Sequence, residues 1–428
     1  MKKFNLFIGL ILIVCFSACT PKTFKEQLSE IPQVTEVTPL ESDYYAEKYL
    51  VKFTQPINYN NPEDGTFTQR VIVCNVHPDS SVLLVTEGYG AERNLNPSYQ
   101  EEIADHFNTN MIIVEHRYFL ESTPKNINWD YLTTQFAAND MHNIIEAFKT
   151  LYKKGKWIST GISKGGQTST FFRTYYPNDV DISVPYVAPL NKGIEDGRHE
   201  PFIENIVGTP EARKAVKDFQ YLTFRHKKQL LPLFDSLAKA NNYQFYLPIE
   251  DIFDYTTLEF SFAFWQWGND YKTIPNRHAS TREIYNYMMK INGPSYFVKE
   301  CYFTPFYVQA AKELGYYGYD MEPFKKYTSI KSSKNYMRKL MLPRDKDFTF
   351  DITLYNKVIE FLKTTDAHML YIYGENDPWR SAQVPDFHRD NIKIFIQPNG
   401  CHKARIRTFN KETQKIIYGQ LSEWLYSK

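Results

Sequence analysis

The amino-acid sequence predicts an α/β fold, a mostly parallel sheet flanked by helices and interrupted by a long helical insertion. Three observations predict it. Short, nearly continuous apolar runs such as "SVLLVTEGYG" and "NMIIVEHRYF" end in polar or glycine-containing loops, as strands buried on both faces do. Residues 132–153, "LTTQFAANDMHNIIEAFKTLYK", carry apolar positions at helical spacing and sit between two such runs, which makes a parallel crossover unit. From about Asn191 to about Phe350 the pattern changes to long helix-type stretches, after which strand-like runs resume.

Along the chain, the first segment reads "MKKFNLFIGLILIVCFSACTPK". Lys2 and Lys3 form a basic start, and the apolar run after them is too short to span a bilayer with margin, so residues 1–19 read as an export signal. Ser17 and Ala18 stand directly before Cys19, which resembles the bacterial lipoprotein processing box and makes Cys19 the expected lipidated residue; an ordinary secretory signal is the alternative. The expected location is the bacterial cell envelope, with the chain held at a membrane by its lipid. Residues 20–43 are polar and proline-punctuated and read as a tether, with folding expected to begin near Tyr44.

Residues 44–190 read as the first part of the sheet. "YLVKFTQPI" and "TFTQRVIVCNV" are strands, "KGKWISTGIS" a further strand, "TSTFFRTYYP" a helix and "DISVPYVAPL" a strand. Residues 191–350 read as a helical cap, for example "TPEARKAVKDFQYLTFRHKKQLLPLFDSLAKANN" and "PFYVQAAKELGYYG". An independent helical domain is the alternative, but strands resuming afterwards make an insertion simpler. In residues 351–428, "HMLYIYG" and "IKIFIQPNG" are strands and "KETQKIIYGQLSEWLYSK" is a closing helix.

A chain of 428 residues with a formal charge of +1 suggests neither a nucleic-acid surface nor a funnel for acidic substrates. The 32 Tyr and 31 Phe suggest aromatic-lined pockets or a ring-rich core. Besides the anchor, Cys74, Cys301 and Cys401 allow at most one disulfide, whose pairing the sequence leaves open. Without C-x-x-C or H-E-x-x-H, a zinc site has no support.

The chemistry centres on "WISTGISKGG". A predicted strand runs into Gly161-Ile162-Ser163-Lys164-Gly165, a G-x-S-x-G, and then into a helix. That order suits a nucleophile elbow, a turn so tight that small residues must flank the serine, with the hydroxyl raised at a helix N-terminus. The base and its orienting acid should follow in the order acid, then histidine. "HMLYIYGENDPW" ends in a loop carrying Asp377, with Glu375 as rival; "IKIFIQPNGCHK" ends in a loop carrying His402. His388 in "VPDFHRD" is the rival base but precedes its strand. Three suitable residues in the right order predict an α/β-hydrolase fold with a large helical cap between the nucleophile and acid segments. Oxyanion donors are expected from the backbone of Lys164 and from Gly88 and Tyr89 in "LLVTEGYGAE", which also reads as a plain glycine turn.

Several stretches resemble one group of enzymes. "VEHRYFLESTP" resembles the Glu-His-Arg-Tyr-Tyr-Gly block of the lysosomal Pro-Xaa carboxypeptidase and dipeptidyl peptidase II family, and "GISKGG" is similar to its Gly-Gly-Ser-Tyr-Gly-Gly elbow. "FYVQAAKELGYYGYD" and "GENDPWR" resemble further blocks. With "LEFSFAFWQWG", the likeness is greater to the related secreted bacterial tripeptidyl aminopeptidases, which are serine exopeptidases. The elbow departs from the relatives' pattern at Ile162 and Lys164, which leaves the cleavage register open.

The resemblance implies a cap that closes over the triad and admits only a peptide's end. An aminopeptidase must then pair the substrate's ammonium with a buried carboxylate. In "PIEDIFDYTTLEFSFAFWQWGND" the candidates are Glu259, then Asp251 and Asp254, with Trp265 and Trp267 as walls of an apolar pocket able to take proline; each also reads as an ordinary cap residue. Glu115 and Arg117 can bind substrate or form a structural ion pair beneath the loop. The resulting expectation is a serine exopeptidase that releases di- or tripeptides from a free N-terminus without cofactor or metal. A Pro-Xaa carboxypeptidase, an esterase and a lipid-anchored binding protein are the alternatives.

Overall fold

The computed structural model describes residues 22–426, so the expected signal segment and its Cys19 lie outside the described residues. Among the described residues, nine strands form one sheet: β1 (Val34–Pro39), β2 (Glu47–Pro56), β3 (Thr66–Asn75), β4 (Val82–Thr86), β5 (Asn110–Val114), β6 (Trp157–Ile162), β7 (Ile182–Tyr186), β8 (His368–Gly374) and β9 (Ile392–Gln397). Their order is β1-β2-β3-β5-β4-β6-β7-β8-β9. The first three strands pair antiparallel, with Val51 opposite both Val37 and Val71, and β3 also meets β5 antiparallel. From β5 to β9 every pairing is parallel. This mostly parallel, helix-flanked sheet is an α/β-hydrolase fold.

The helices are α1 (Phe24–Ser29), α2 (Glu102–Phe107), α3 (Thr134–Phe148), α4 (Lys164–Tyr175), α5 (His199–Asn205), α6 (Pro210–Arg225), α7 (Lys227–Ala240), α8 (Ile249–Gln266), α9 (Thr281–Ile291), α10 (Thr304–Gln309), α11 (Tyr336–Leu340), α12 (Thr353–Thr364) and α13 (Lys411–Tyr426). β4, β5 and β7 are buried at every position, which is why they read as unbroken apolar runs. α3 starts where the Thr133 hydroxyl accepts the Phe136 N–H, and it buries Ala138, Met141, Ile144, Ile145 and Phe148. Those residues join Val82, Leu84 and Val114 in the core on one face of the sheet. The other face packs Ile113, Ile158, Val184 and Ile372 against Ile417, Leu421 and Leu425 of α13.

Between β7 and β8 the described chain is helical. α6, α8 and α9 pack on one another, while α12 returns to the sheet and lies against α4. The largest core cluster runs through this region and continues to Met369, Tyr371 and Tyr373 of β8, so helices and sheet share one interior. No helix among the described residues is long and apolar enough to cross a membrane. Cys74, Cys301 and Cys401 are free thiols.

The tether expectation needs correction. Residues 24–39 are folded: α1 opens with a reciprocal capping box between Thr23 and Glu26, and β1 extends the sheet edge. Phe24, Leu28 and Ile31 are buried against Val51, Phe53 and Tyr152. Phe24 and Leu28 stand one turn apart on α1 and Ile31 follows just past its end, an apolar set that outweighs the polar residues between them. The two short helices α2 and α12 were likewise absent from the sequence reading.

Candidate active site

Ser163 stands between β6 and α4 with φ 57° and ψ −119°, a conformation that costs a non-glycine residue on the order of 1–3 kcal/mol. Hydrogen bonds at both ends hold it there. Its N–H donates to the Tyr186 carbonyl at 2.8 Å, and its own carbonyl accepts from the Gln167 N–H at 2.9 Å. The turn is tight enough that a Cβ on Gly161 would stand 2.3 Å from the Gly165 oxygen. Beside it, a Cβ on Gly88 would stand 2.6 Å from the Gly165 nitrogen, so the loop after β4 touches the elbow backbone to backbone.

Asp377 lies just past the end of β8 and is fully buried. One carboxylate oxygen accepts the Trp379 N–H at 3.1 Å, and the other meets Nδ1 of His402 at 2.6 Å. His402 follows β9, with its backbone N–H bound to the carbonyl of Gln266 at 3.0 Å. The rivals are elsewhere. Glu375 is exposed and accepts the Asn399 N–H at 2.7 Å, and the exposed His388 pairs with Asp386. With Nδ1 engaged, His402 keeps Nε2 for a cavity of about 860 Å³ that Ser163 also lines. Lys164, Tyr89, Glu87, Glu259, Trp267 and Trp379 share that lining.

Of the three cap carboxylates, Glu259 alone reaches this cavity. It is buried on α8, and the hydroxyls of Tyr317 and Tyr319 donate to its Oε2 at 2.9 and 2.8 Å. Burial pushes its carboxyl up to about 8 even against those two bonds, which favour the charged form. Asp254 instead takes the Lys227 ammonium at 2.7 Å and the Ser329 N–H, and Asp251 sits in the first turn of α8, outside the cavity wall. Trp267 lines the cavity with its ring edge-on to His402, centroids 6.0 Å apart. Trp265 does not. It faces a separate cleft beside Glu200 and Lys217 and packs against Gly208, so its expected place in the substrate wall is corrected.

Glu115 also leaves the substrate-contact set. Its fully buried carboxylate pairs with Arg70 and accepts the N–H groups of Ala91 and Ser122 and the Ser122 hydroxyl. Every lone pair faces the protein. Its place is beneath the loop that carries Gly88 and Tyr89, where it holds Ala91 at 2.8 Å. Arg117 pairs with Asp140 at 2.7 Å instead, with both side chains fully buried.

Two cavity features escaped the sequence reading. Glu87, directly before Gly88, points a carboxyl at the cavity and accepts from the Asn94 amide at 2.9 Å; burial raises it to about 7. Its position in "VTEGYG" was the available signal. The Lys164 side chain is buried as well, its ammonium 5.7 Å from the Tyr89 ring centre and 5.4 Å from that of Phe119. No pattern in the sequence marks that contact, because Tyr89 and Lys164 meet only when β4 and β6 pair.

Comparison with known proteins identifies the family. The model of the PS-10 peptidase S37 family matches residues 20–421. A prolyl tri/tetrapeptidyl aminopeptidase from Streptomyces mobaraensis is 31% identical over 419 residues, covering 94% of this chain and 84% of that protein. A probable serine protease from Arabidopsis thaliana is 23% identical, covering 94% and 90%. Among solved structures, a proline iminopeptidase from Mycobacterium smegmatis aligns over 87% of this chain and 98% of that one, at 13% identity and a TM-score of 0.39. A family match across almost the whole chain, on an α/β-hydrolase sheet, places this protein in the peptidase S37 family of serine peptidases.

Proposed function

We propose that the protein is an aminopeptidase that releases short peptides, tripeptides foremost, from free N-termini through Ser163, His402 and Asp377. The observation that carries the reading is Glu259. A buried carboxylate on the wall of the cavity that holds Ser163 and His402 gives a substrate ammonium a partner at a fixed distance from the nucleophile. A carboxypeptidase would need a cation at that position; the cavity's buried cation, Lys164, lies instead over the rings of Tyr89 and Phe119. The name of the Streptomyces relative points the same way.

The steps follow from the geometry. Nε2 of His402 takes the hydroxyl proton as Ser163 Oγ attacks the scissile carbonyl, and Asp377 holds the ring through Nδ1 and stabilises its charged form. The tetrahedral oxyanion takes the backbone N–H of Lys164 and a second N–H from Gly88 or Tyr89, the loop pressed against the elbow. His402 returns the proton to the leaving amine. Water then attacks the acyl-enzyme with His402 again as base, releasing the peptide and restoring Ser163. The rings of Tyr89, Phe303, Phe306, Tyr316 and Trp379 on the cavity wall offer an apolar slot suited to proline before the cut.

We further infer that the chain is exported and held at a membrane by a lipid on Cys19, on the strength of the small residues before that cysteine. Mass spectrometry of a peptide library with free and N-acetylated termini tests the activity. Tripeptides released from free termini alone are expected. Loss of C-terminal residues from blocked peptides, or turnover of aryl esters only, overturns the reading.

A further inference from the structure

The N-terminal chain enters the fold at the end of the sheet opposite the catalytic cavity. Phe24 packs on Tyr49 and Tyr152, with ring centres 6.0 and 6.1 Å away. Tyr152 lies in the turn before β6, and its hydroxyl donates to the side chain of Asn75 at 3.2 Å. Tyr49 sits near the end of β2 that pairs with Val73, beside Cys74 and Met111 at the start of β5. All of these mark the N-terminal ends of the parallel strands. Ser163, Asp377, His402 and Gly88 all follow the C-terminal ends of β6, β8, β9 and β4.

The distance between the two ends is set by the strands. β8 has seven residues, which spans about 23 Å at ~3.3 Å per residue, before the loops and helices over the cavity are added. The anchor has no comparable reach. From Cys19 to Lys22 there are three Cα steps, a span of at most about 11 Å. Had the whole segment 20–43 been a flexible tether, its end-to-end distance would be about 27 Å by the √n rule for flexible linkers, and the body could turn freely. α1 and β1 remove that freedom, because Phe24 and Leu28 of α1 are buried in the core and β1 is paired to β2 with Val34 and Val37 against it.

We propose that the anchored enzyme rests on the bilayer with the N-terminal ends of its parallel strands, and that its catalytic cavity faces away from the membrane. This rests on lipidation at Cys19. The surface nearest the anchor carries the exposed Lys22 and Lys25 at the α1 start and Lys153 and Lys154 in the turn before β6; Lys22 pairs with Glu30 and Lys154 with Asp79, which leaves Lys25 and Lys153 to meet anionic headgroups. The substrates are then soluble peptides arriving from the aqueous side, and chains embedded in the bilayer are out of reach.

Native lysines report the orientation. The full-length chain, made in a bacterial host that lipidates such signals, is reconstituted into phosphatidylethanolamine–phosphatidylglycerol vesicles and treated with a membrane-impermeant amine-acylating reagent. Peptide mass spectrometry gives the labelling rate at each lysine, and the chain beginning at Thr20 in solution is the reference. Acylation of Lys22, Lys25, Lys153 and Lys154 is expected to slow several-fold on vesicles, while the exposed Lys403 at the cavity and Lys272 of the cap keep their solution rates. If Lys272 and Lys403 slow instead, or all six are unchanged on protein that floats with the vesicles, the orientation is wrong and the anchor stands. A full-length chain that does not float, or a Cys19→Ala variant that floats equally well, removes the anchor and the orientation with it.

Discussion

The backbone N–H of His402 is bound to the carbonyl of Gln266, the last residue of α8, at 3.0 Å. The loop that carries the proposed general base therefore hangs from the helix that carries Glu259. Two residues further on, Gly268 has φ 67°, and a Cβ placed there would stand 2.8 Å from Cys401 Sγ. Gly268→Ala is expected to push Cys401 and shift His402, lowering kcat at least tenfold while the protein still folds. Steady-state kinetics beside a thermal melt check this; unchanged kcat would show that the loop is held by other contacts.

Ser163→Ala is expected to abolish turnover and retain the fold, and Asp377→Asn to lower kcat on the order of 10⁴-fold by losing the tautomer that accepts the proton. The strained φ of Ser163 gives a second readout. Ser163→Gly should be more stable than Ser163→Ala by about 1 kcal/mol, since glycine adopts that backbone freely. Urea unfolding of the two inactive variants measures the difference.

Glu259 titrates near 8, so at neutral pH the free enzyme holds it mostly neutral, and binding an ammonium must expel its proton. A peptide N-terminus loses its own proton at about pH 8. KM for free peptides is expected to be lowest near pH 8 and to rise on either side, and Glu259→Gln should raise KM and flatten the profile. A minimum that persists in Glu259→Gln would assign it to another group.

The same group sets a stability trend of opposite sense to a salt-bridged carboxylate. Its folded value lies above the ordinary glutamate value of 4.5, so between about pH 4.5 and 8 the folded state keeps a proton that the unfolded chain has lost. Stability falls across that window, by up to about 1.4 kcal/mol per pH unit from this one group. Glu259→Gln, which keeps an acceptor for Tyr317 and Tyr319, is expected to be more stable than the parent at pH 9, with the gap closing toward pH 5. Denaturant melts across pH give the comparison.

Glu115→Ala leaves Arg70 buried without its partner and Ala91 without an acceptor, and is expected to cost roughly 3–5 kcal/mol. Glu121, which meets the same arginine at 3.5 Å from an exposed position, should cost under about 1 kcal/mol as Glu121→Gln. Equal losses would mean that the Arg70–Glu115 contact is not what holds the loop.

The sequence alone determined the parallel strands, the elbow and the order of Ser163, Asp377 and His402. These are local features: buried strands are short apolar runs, a tight turn needs small residues, and loops at the strand ends follow from chain order. The sequence ranked Asp377 above Glu375, and the physical reason for that ranking lies in the tertiary structure: residues two apart at a strand end have different surroundings, and only the buried one meets His402. Glu259 was likewise ranked ahead of Asp254, while Trp265 and Trp267 read alike and only packing separates them, with Glu259 and Trp267 on the cavity wall. On one helix, neighbouring positions face different partners, and what lies opposite each is decided by packing that the helix's own residues do not encode. Glu115 met Arg70 rather than Arg117 because β3 pairs with β5, a contact 45 residues apart in the chain. α1 and β1 went unread because their burial depends on β2 and α3 being in place to receive Phe24, Leu28 and Ile31.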